Sequence, residues 1–153
     1  MRERKFFGVI LSEVNETERL STIRRGITRV MSGCEWVIEA HGCDPAALTD
    51  LKKMRELFAR LTAELALNPV CEPTWHKFPG TGGITGLCLL AESHLACHTF
   101  PEHGSLCLNV FCCRPRNDFD FARYLKREFA ATTVNVRRID RPYLAPQHES
   151  AAS

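Results

Sequence analysis

Strand-like segments joined by short turns occupy the middle of the chain and constrain its fold most strongly. The candidates lie at 35–40, 70–78, 85–91, 94–100, 105–112 and 132–139. The connections at 79–83 and 101–104 contain the Gly and Pro residues typical of tight turns. Turns this short can join neighbouring strands only when the strands run in opposite directions. The sequence therefore predicts a mainly antiparallel sheet.

Two amphipathic helices accompany these strands. Over 45–66, apolar residues recur every three or four positions, which is typical of a helix with one buried face. A shorter pattern over 117–130 predicts a second helix, with Asn117 or Asp118 as its N-cap. The combination predicts an α+β fold, a two-layer sandwich with both helices on one face of the sheet.

The two ends of the chain differ from its middle. Residues 1–34 are rich in Arg, Glu and Thr without a periodic apolar pattern. We interpret them as an N-terminal extension, either a flexible segment or the result of a mis-assigned start. The domain itself is predicted at 35–141, and 142–153 is predicted to be a disordered tail.

Charge and cysteine content narrow the classes of function. The net charge is +2 and the basic residues are scattered, so we expect neither a nucleic-acid nor a membrane partner. The longest early apolar run, 6–11, is too short for a signal-peptide core or a membrane span. Eight cysteines without C-x-x-C pairs are typical of buried thiols in a reducing compartment. We therefore expect a cytoplasmic protein.

Chemically reactive side chains are concentrated at 92–104, which contains one serine, three histidines and two glutamates. Ser93 with His98 would form a nucleophile and its base. The three histidines, His94, His98 and His103, would form a metal site. On a strand, His94 and His98 share one face, and Ser93 lies on the other unless a bend intervenes. His103 belongs to the turn and need not join either face, which argues against the metal site. From the residues alone, a solvated hairpin is the favoured interpretation.

Three motifs follow one another in and after this segment. They are Glu-Ser-His at 92–94, His-Thr-Phe-Pro-Glu at 98–102 and Val-Phe-Cys-Cys at 110–113. In this order they resemble the short bacterial and archaeal form of S-adenosylmethionine decarboxylase. The likeness covers residues 35–140.

The resemblance implies a proenzyme that cleaves its own backbone between Glu92 and Ser93. Ser93 would become a pyruvoyl group, the cofactor, which forms a Schiff base with the substrate's amino group and accepts electrons as CO₂ leaves. His98 would be the processing base, assisted by the hydroxyl of Thr85. Cys113 would return a proton to the substrate.

The resemblance also implies a small-molecule substrate, S-adenosylmethionine, whose decarboxylated product enters spermidine biosynthesis. Glu102 would bind the ribose hydroxyls, Phe78 would stack on the adenine, and Glu39 would lie in the same cleft. Cys112 is the alternative to Cys113 as proton donor. The family further implies a homodimer in which both protomers line each site, and it implies no metal.

Three features depart from the family's pattern. Asn109 stands where the family has Asp, Phe100 replaces Trp, and the loop 79–83 is one residue longer. Because Asn109 removes a carboxylate, the same chemistry on another amino acid, arginine or ornithine, is kept as an alternative. A relative that binds a ligand without processing itself is the second alternative.

Overall fold

The computed structural model describes residues 32–143, which contain six antiparallel strands and three helices. The strands are β1 (Ser32–His41), β2 (Thr74–Lys77), β3 (Ile84–Leu90), β4 (Ser93–Phe100), β5 (Ser105–Cys112) and β6 (Thr133–Pro142). The helices are α1 (Pro45–Leu48), α2 (Leu51–Glu64) and α3 (Phe121–Phe129), and a 3-10 turn spans Pro101–His103. The predicted α+β class is confirmed, with three helices instead of two.

The six strands form one sheet in the order β2-β3-β4-β5-β1-β6, and every neighbouring pair is antiparallel. The first strand of the sequence, β1, lies between β5 and β6. Strand β4 lies between β3 and β5, so the segment that begins at Ser93 is central in the sheet.

One face of the sheet packs against the helices and the other is open in the described part of the chain. Along β4, Leu95, Cys97 and Thr99 are buried and the residues between them are only partly buried. On the open face, Leu87 and Leu89 of β3 are 51% and 56% exposed. Large side chains of this core include Trp36, Ile38, Met54, Leu57, Phe58, Leu61, Leu95, Leu106, Phe121, Leu125 and Phe129.

The predicted helix over 45–66 is wrong in one respect, because the structure divides it into α1 and α2. The carboxylate of Asp50 accepts hydrogen bonds from the backbone N–H groups of Lys52 (2.8 Å) and Lys53 (3.4 Å). An aspartate in this role starts a new helix. Apolar spacing alone does not reveal it, since both helices keep the same buried face.

The second helix begins later than the predicted range of 117–130. The Asp120 side chain accepts a 2.9 Å hydrogen bond from the backbone N–H of Arg123, so Asp120 is the N-cap. The predicted caps, Asn117 and Asp118, are therefore wrong. Asn117, Asp118 and Asp120 are equally good caps by residue type, so type alone does not select among them.

The predicted strand at 70–78 is shortened to β2. Pro69 forms an isolated bridge with Leu90, and the ladder to β3 resumes only at Thr74. Pro73 immediately before it has no N–H to donate, which interrupts a regular ladder.

The sheet extends beyond the predicted domain limits of 35 and 141. Strand β1 begins at Ser32 and β6 ends at Pro142, where the two residues pair with each other. The predicted extension and tail fall mostly on residues 1–31 and 144–153, which lie outside the described residues.

Candidate active site

Ser93 occupies a strained position at the turn from β3 to β4. Its φ is +151°, in a region that costs a non-glycine residue about 1–3 kcal/mol. At this bend the Ser93 Oγ atom lies 3.2 Å from Nδ1 of His94. On a regular strand, Ser93 and His94 would point to opposite faces. The bend at Ser93 instead brings the two neighbouring side chains together.

The side chain of Glu92, the residue before Ser93, is buried in an ion pair. It is 5% exposed, and its Oε1 lies 2.8 Å from Nη2 of Arg116. The backbone N–H of Asn68 donates to Oε1 at 2.9 Å, and the side-chain amide donates to Oε2 at 3.2 Å. Because a buried charge is costly to unpair, these contacts fix the position of the Glu92–Ser93 peptide.

The backbone carbonyl of Glu92 is also held. Its oxygen accepts a 2.8 Å hydrogen bond from the backbone N–H of Cys113, just beyond the end of β5. A donor already in place at this oxygen would stabilise negative charge that develops there.

The two candidate proton donors differ in their surroundings. Cys112 is buried, and desolvation raises the pKa of its thiol to about 11. Cys113 is exposed and lies beside the Glu92 carbonyl. Because it is exposed, Cys113 is better placed than Cys112 to contact a substrate.

A hydrogen-bond network runs from Ser93 across three strands. The other ring nitrogen of His94, Nε2, lies 3.0 Å from Oδ1 of Asn109 on β5. The Asn109 amide donates to Oε1 of Glu35 on β1 at 2.9 Å, and Glu35 also pairs with Arg141 on β6. Asn109, the residue that departs from the family's pattern, is thus connected to a carboxylate.

The residues Thr85 and His98 form a second pair on the same open face. They are direct neighbours across β3 and β4, and the Thr85 Oγ1 atom lies 2.6 Å from Nδ1 of His98. The ring of Phe78 lies 5.4 Å from the His98 ring, and the ring of Phe100 lies 4.3 Å from it. Phe78 is 37% exposed, so part of its ring is free to stack on a ligand.

The remaining predicted residues lie towards this second pair. Glu102 is exposed in the 3-10 turn that follows β4. Glu39 lies on β1 opposite Cys107, which in turn is opposite His98 on β4, and it forms an ion pair with Arg137.

The structure therefore brings the predicted residues together in two groups. The first contains Glu92, Ser93 and Cys113, and we call it the cleavage group. The second contains Thr85, His98 and Phe78, and we call it the His98 group. Ser93 and His98 are five residues apart on β4, which corresponds to roughly 16 Å along an extended strand. Within one protomer the two groups are not in contact.

Other kinds of site are less well supported in the described region. Among residues 32–143, no group of three or more His, Cys, Asp or Glu side chains is arranged to hold a metal ion. None of the helices there has the length and apolar character to cross a membrane. A groove of about 670 Å³ lies beside α2 and the segment before β2, and none of the predicted site residues lines it.

Comparisons with known proteins point to one family. Residues 34–142 match the sequence profile of S-adenosylmethionine decarboxylase. The S-adenosylmethionine decarboxylase proenzyme of Moorella thermoacetica is 37% identical over 118 residues, which is 75% of this chain and 91% of the relative. That of Pyrococcus furiosus is 34% identical over 110 residues, or 71% of this chain and 78% of the relative.

The chain belongs to the S-adenosylmethionine decarboxylase family.

The fold agrees with this assignment. The crystal structure of the adenosylmethionine decarboxylase from Aquifex aeolicus superposes with a TM-score of 0.61 at 22% identity, covering 77% of this chain and 97% of that one. The resemblance stated from the motifs, and with it the predicted class of enzyme, a decarboxylase, is confirmed. No comparison favours a different class.

Sequence reasoning missed four residues that contact the site. Asn68 and Arg116 hold the Glu92 carboxylate from outside the recognised motifs. His94 was placed opposite Ser93 by strand parity, and Glu35 reaches Asn109 only through the β1–β5 register. For Glu35, the sequence offered one indication, a charged residue within a mainly apolar strand candidate.

Proposed function

We propose that the protein cleaves itself between Glu92 and Ser93 and then decarboxylates S-adenosylmethionine through a pyruvoyl group formed from Ser93. The observation that supports this proposal is the conformation of the uncleaved peptide between Glu92 and Ser93. Ser93 has a φ of +151°, and the Glu92 side chain on the other side of the bond is held by a buried ion pair. A strained bond with a fixed carbonyl and an adjacent hydroxyl favours attack of that hydroxyl on the carbonyl.

Cleavage requires three chemical steps. Ser93 Oγ attacks the Glu92 carbonyl carbon, and the peptide C–N bond breaks, which converts the amide to an ester and frees the Ser93 amine. A base then removes the Ser93 α-proton, and the Cβ–O bond breaks, releasing the Glu92 carboxylate and leaving dehydroalanine. Water hydrolyses the tautomeric imine, ammonia leaves, and a pyruvoyl group remains at position 93. We assign His98, positioned by Thr85, to the α-proton step.

The Cys113 N–H stabilises the first step. The Glu92 oxygen becomes negatively charged as the hydroxyl adds, and the hydrogen bond already present at 2.8 Å strengthens with that charge. No rearrangement of the backbone is needed, since the donor is in place beforehand.

Position 93 suits the cofactor because it follows the Glu92 carbonyl that Cys113 contacts, and Cys113 is exposed. A pyruvoyl group there supplies an electron sink for loss of CO₂ from an amino acid. Cys113 returns the proton to the substrate carbon. Phe78 stacks on the adenine and Glu102 binds the ribose hydroxyls, and the exposure of both is compatible with these roles.

We further propose a homodimer formed through the open face of the sheet. In one protomer the cleavage group and the His98 group are roughly 16 Å apart along β4. A two-fold arrangement places the His98 group of one copy against the cleavage group of the other, and the reverse. The exposed Leu87 and Leu89 supply apolar surface for such a contact.

We place the protein in the cytoplasm. All eight cysteines are free, and five of them are buried. Free thiols in this number are typical of a reducing compartment.

The deciding experiment is an intact mass measurement under denaturing conditions. The proposal predicts two chains, residues 1–92 and residues 93–153, with the second lacking a free amine and reacting with a carbonyl reagent. A single uncleaved mass after prolonged incubation would contradict it.

A substrate panel then tests the substrate: release of CO₂ is measured with S-adenosylmethionine, arginine and ornithine in turn. Turnover of arginine or ornithine alone would replace the proposed substrate.

A further inference from the structure

We infer that His94 is the base that removes the proton from Ser93 Oγ in the first step of self-cleavage, and that Asn109 and Glu35 hold it in the tautomer this requires. The inference rests on the proposed self-cleavage and assigns a step that His98 does not perform within its own protomer. Four observations support it: the contact with Ser93, the orientation of the Asn109 amide, the packing of the ring and the balance of protons.

The contact places a ring nitrogen beside the nucleophile. His94 Nδ1 lies 3.2 Å from Ser93 Oγ, within the range of a hydrogen bond. His98, in contrast, uses its Nδ1 atom in the contact with Thr85 and lies roughly 16 Å away from Ser93 along β4.

The orientation of the Asn109 amide follows from its partners. Its Nδ2 atom lies 2.9 Å from Oε1 of Glu35 and 3.3 Å from the carbonyl oxygen of Trp36. A carboxylate and a carbonyl can only accept, so the NH₂ end of the amide must face them. The Oδ1 end therefore faces His94.

That orientation determines the tautomer of His94. Since Asn109 Oδ1 is an acceptor 3.0 Å from His94 Nε2, the Nε2 atom must carry the hydrogen. In the neutral ring, Nδ1 then has a free lone pair, and it is this atom that faces the Ser93 hydroxyl. The hydroxyl donates to Nδ1, which is the geometry of a general base.

Packing holds the ring in this position. Phe111 contacts the His94 ring edge to face, with the centroids 5.7 Å apart. The Glu35 carboxylate is kept in place by Arg141 and is 15% exposed, so the end of the network furthest from Ser93 is anchored. Asn109 and Glu35 are positioning residues, because they act on Ser93 only through His94.

The proton balance is complete without another reagent. The Oγ proton moves to His94 Nδ1 as the bond from Oγ to the Glu92 carbon forms. The same proton then moves to the Ser93 nitrogen as the peptide C–N bond breaks. His94 ends the step neutral, and the products are the Glu92 ester and the free amine of Ser93. The later removal of the α-proton needs the second base, His98.

The two bases can be separated by trapping the ester, which hydroxylamine cleaves and an amide resists. We expect His94→Asn to slow cleavage by about 10²–10⁴-fold, the usual contribution of a general base, and to accumulate no ester. We expect His98→Asn to accumulate the ester, so that hydroxylamine releases fragments ending at residue 92. Added imidazole should restore cleavage to His94→Ala, which a purely structural role would not allow.

The matched control is His41→Asn. His41 lies on the same face, and its Nδ1 is 3.1 Å from Ser105 Oγ, so it forms a similar serine contact away from the cleavage group. This variant should cleave at the wild-type rate. Asn109→Leu should slow cleavage roughly tenfold, while Asn109→Asp, which keeps the acceptor for His94 but loses the donor to Glu35, should slow it less.

The outcomes separate the inference from the proposed function. If the wild-type protein is not cleaved, both are wrong. If the wild-type protein is cleaved and His94→Asn is cleaved equally fast, or accumulates the ester, only the role of His94 is wrong. If His94→Asn does not fold, the Asn109→Leu and Asn109→Asp pair decides, and equal rates for these two variants would overturn the inference.

Discussion

His98 follows Ser93 by five residues on one extended strand, which separates their Cα atoms by roughly 16 Å within a protomer. A base must come within about 3 Å of the proton it removes. The strand between them is central in the sheet and paired on both sides, so it cannot fold back to bring them together. A role for His98 at Ser93 therefore requires a second copy of the chain.

This requirement predicts complementation between two inactive variants. In a mixed dimer, a His98→Asn chain keeps its own Ser93 and receives His98 from a Ser93→Ala partner. We expect co-expression of the two, each with a different tag, to restore cleavage of the His98→Asn chain alone. The masses of both chains measure this. If His98→Asn remains uncleaved in isolated mixed dimers, action between protomers is wrong.

The backbone strain at Ser93 predicts an unusual order of stability. Glycine normally destabilises a strand by about 0.5–1 kcal/mol relative to alanine. At a φ of +151° glycine instead avoids a cost of about 1–3 kcal/mol. We expect Ser93→Gly to be about 1 kcal/mol more stable than Ser93→Ala. Urea unfolding of the two uncleavable precursors measures the difference, and a more stable alanine variant would contradict the strain.

The buried ion pair predicts a large effect of Arg116. Replacing it with Gln leaves the Glu92 carboxylate 5% exposed and without its cationic partner. We expect Arg116→Gln to lose about 3 kcal/mol of unfolding free energy and to be cleaved more slowly. Arg60→Gln, which breaks an exposed pair with Glu64, should change stability by less than about 0.5 kcal/mol. Equal losses in the two variants would contradict the difference in burial.

The two adjacent cysteines should react differently with iodoacetamide. Burial raises the pKa of the Cys112 thiol from 9.0 to about 11, so its reactive thiolate is scarce until the pH approaches that value. In the folded Ser93→Ala precursor at mildly alkaline pH, we expect labelling of Cys113 and of the exposed control Cys71, but not of Cys112. Peptide mass mapping provides the measurement. Equal labelling of Cys112 would mean that it, too, is accessible to a substrate.

The class of the fold was predictable because its signals are local. Tight turns such as 101–104 require antiparallel neighbours, and the apolar face of 45–66 requires a helix. The division of this helix at Asp50 was not predictable, because an aspartate inside a periodic pattern can be either an N-cap or an exposed helical residue.

The cleavage group was predictable only through its motif. The residues that hold Glu92 in position were not predictable from the sequence. Glu92 and Ser93 are adjacent in sequence, so a short motif contains them. Arg116 and Asn68 are 24 residues from Glu92 on either side and meet it only in three dimensions. Glu35 is further still, and no pattern of residue types specifies the strand register that brings it to Asn109.

The order of the strands determines what a cut after residue 92 would leave. One polypeptide would contain β1, β2 and β3, and the other β4, β5 and β6. Because β1 lies between β5 and β6, and β3 pairs with β4, the two polypeptides would be interleaved across three ladders. They could part only if the whole sheet unfolded, so dilution would not dissociate them. Loss of covalent continuity at this one bond would leave a two-chain protein that still unfolds as a single unit.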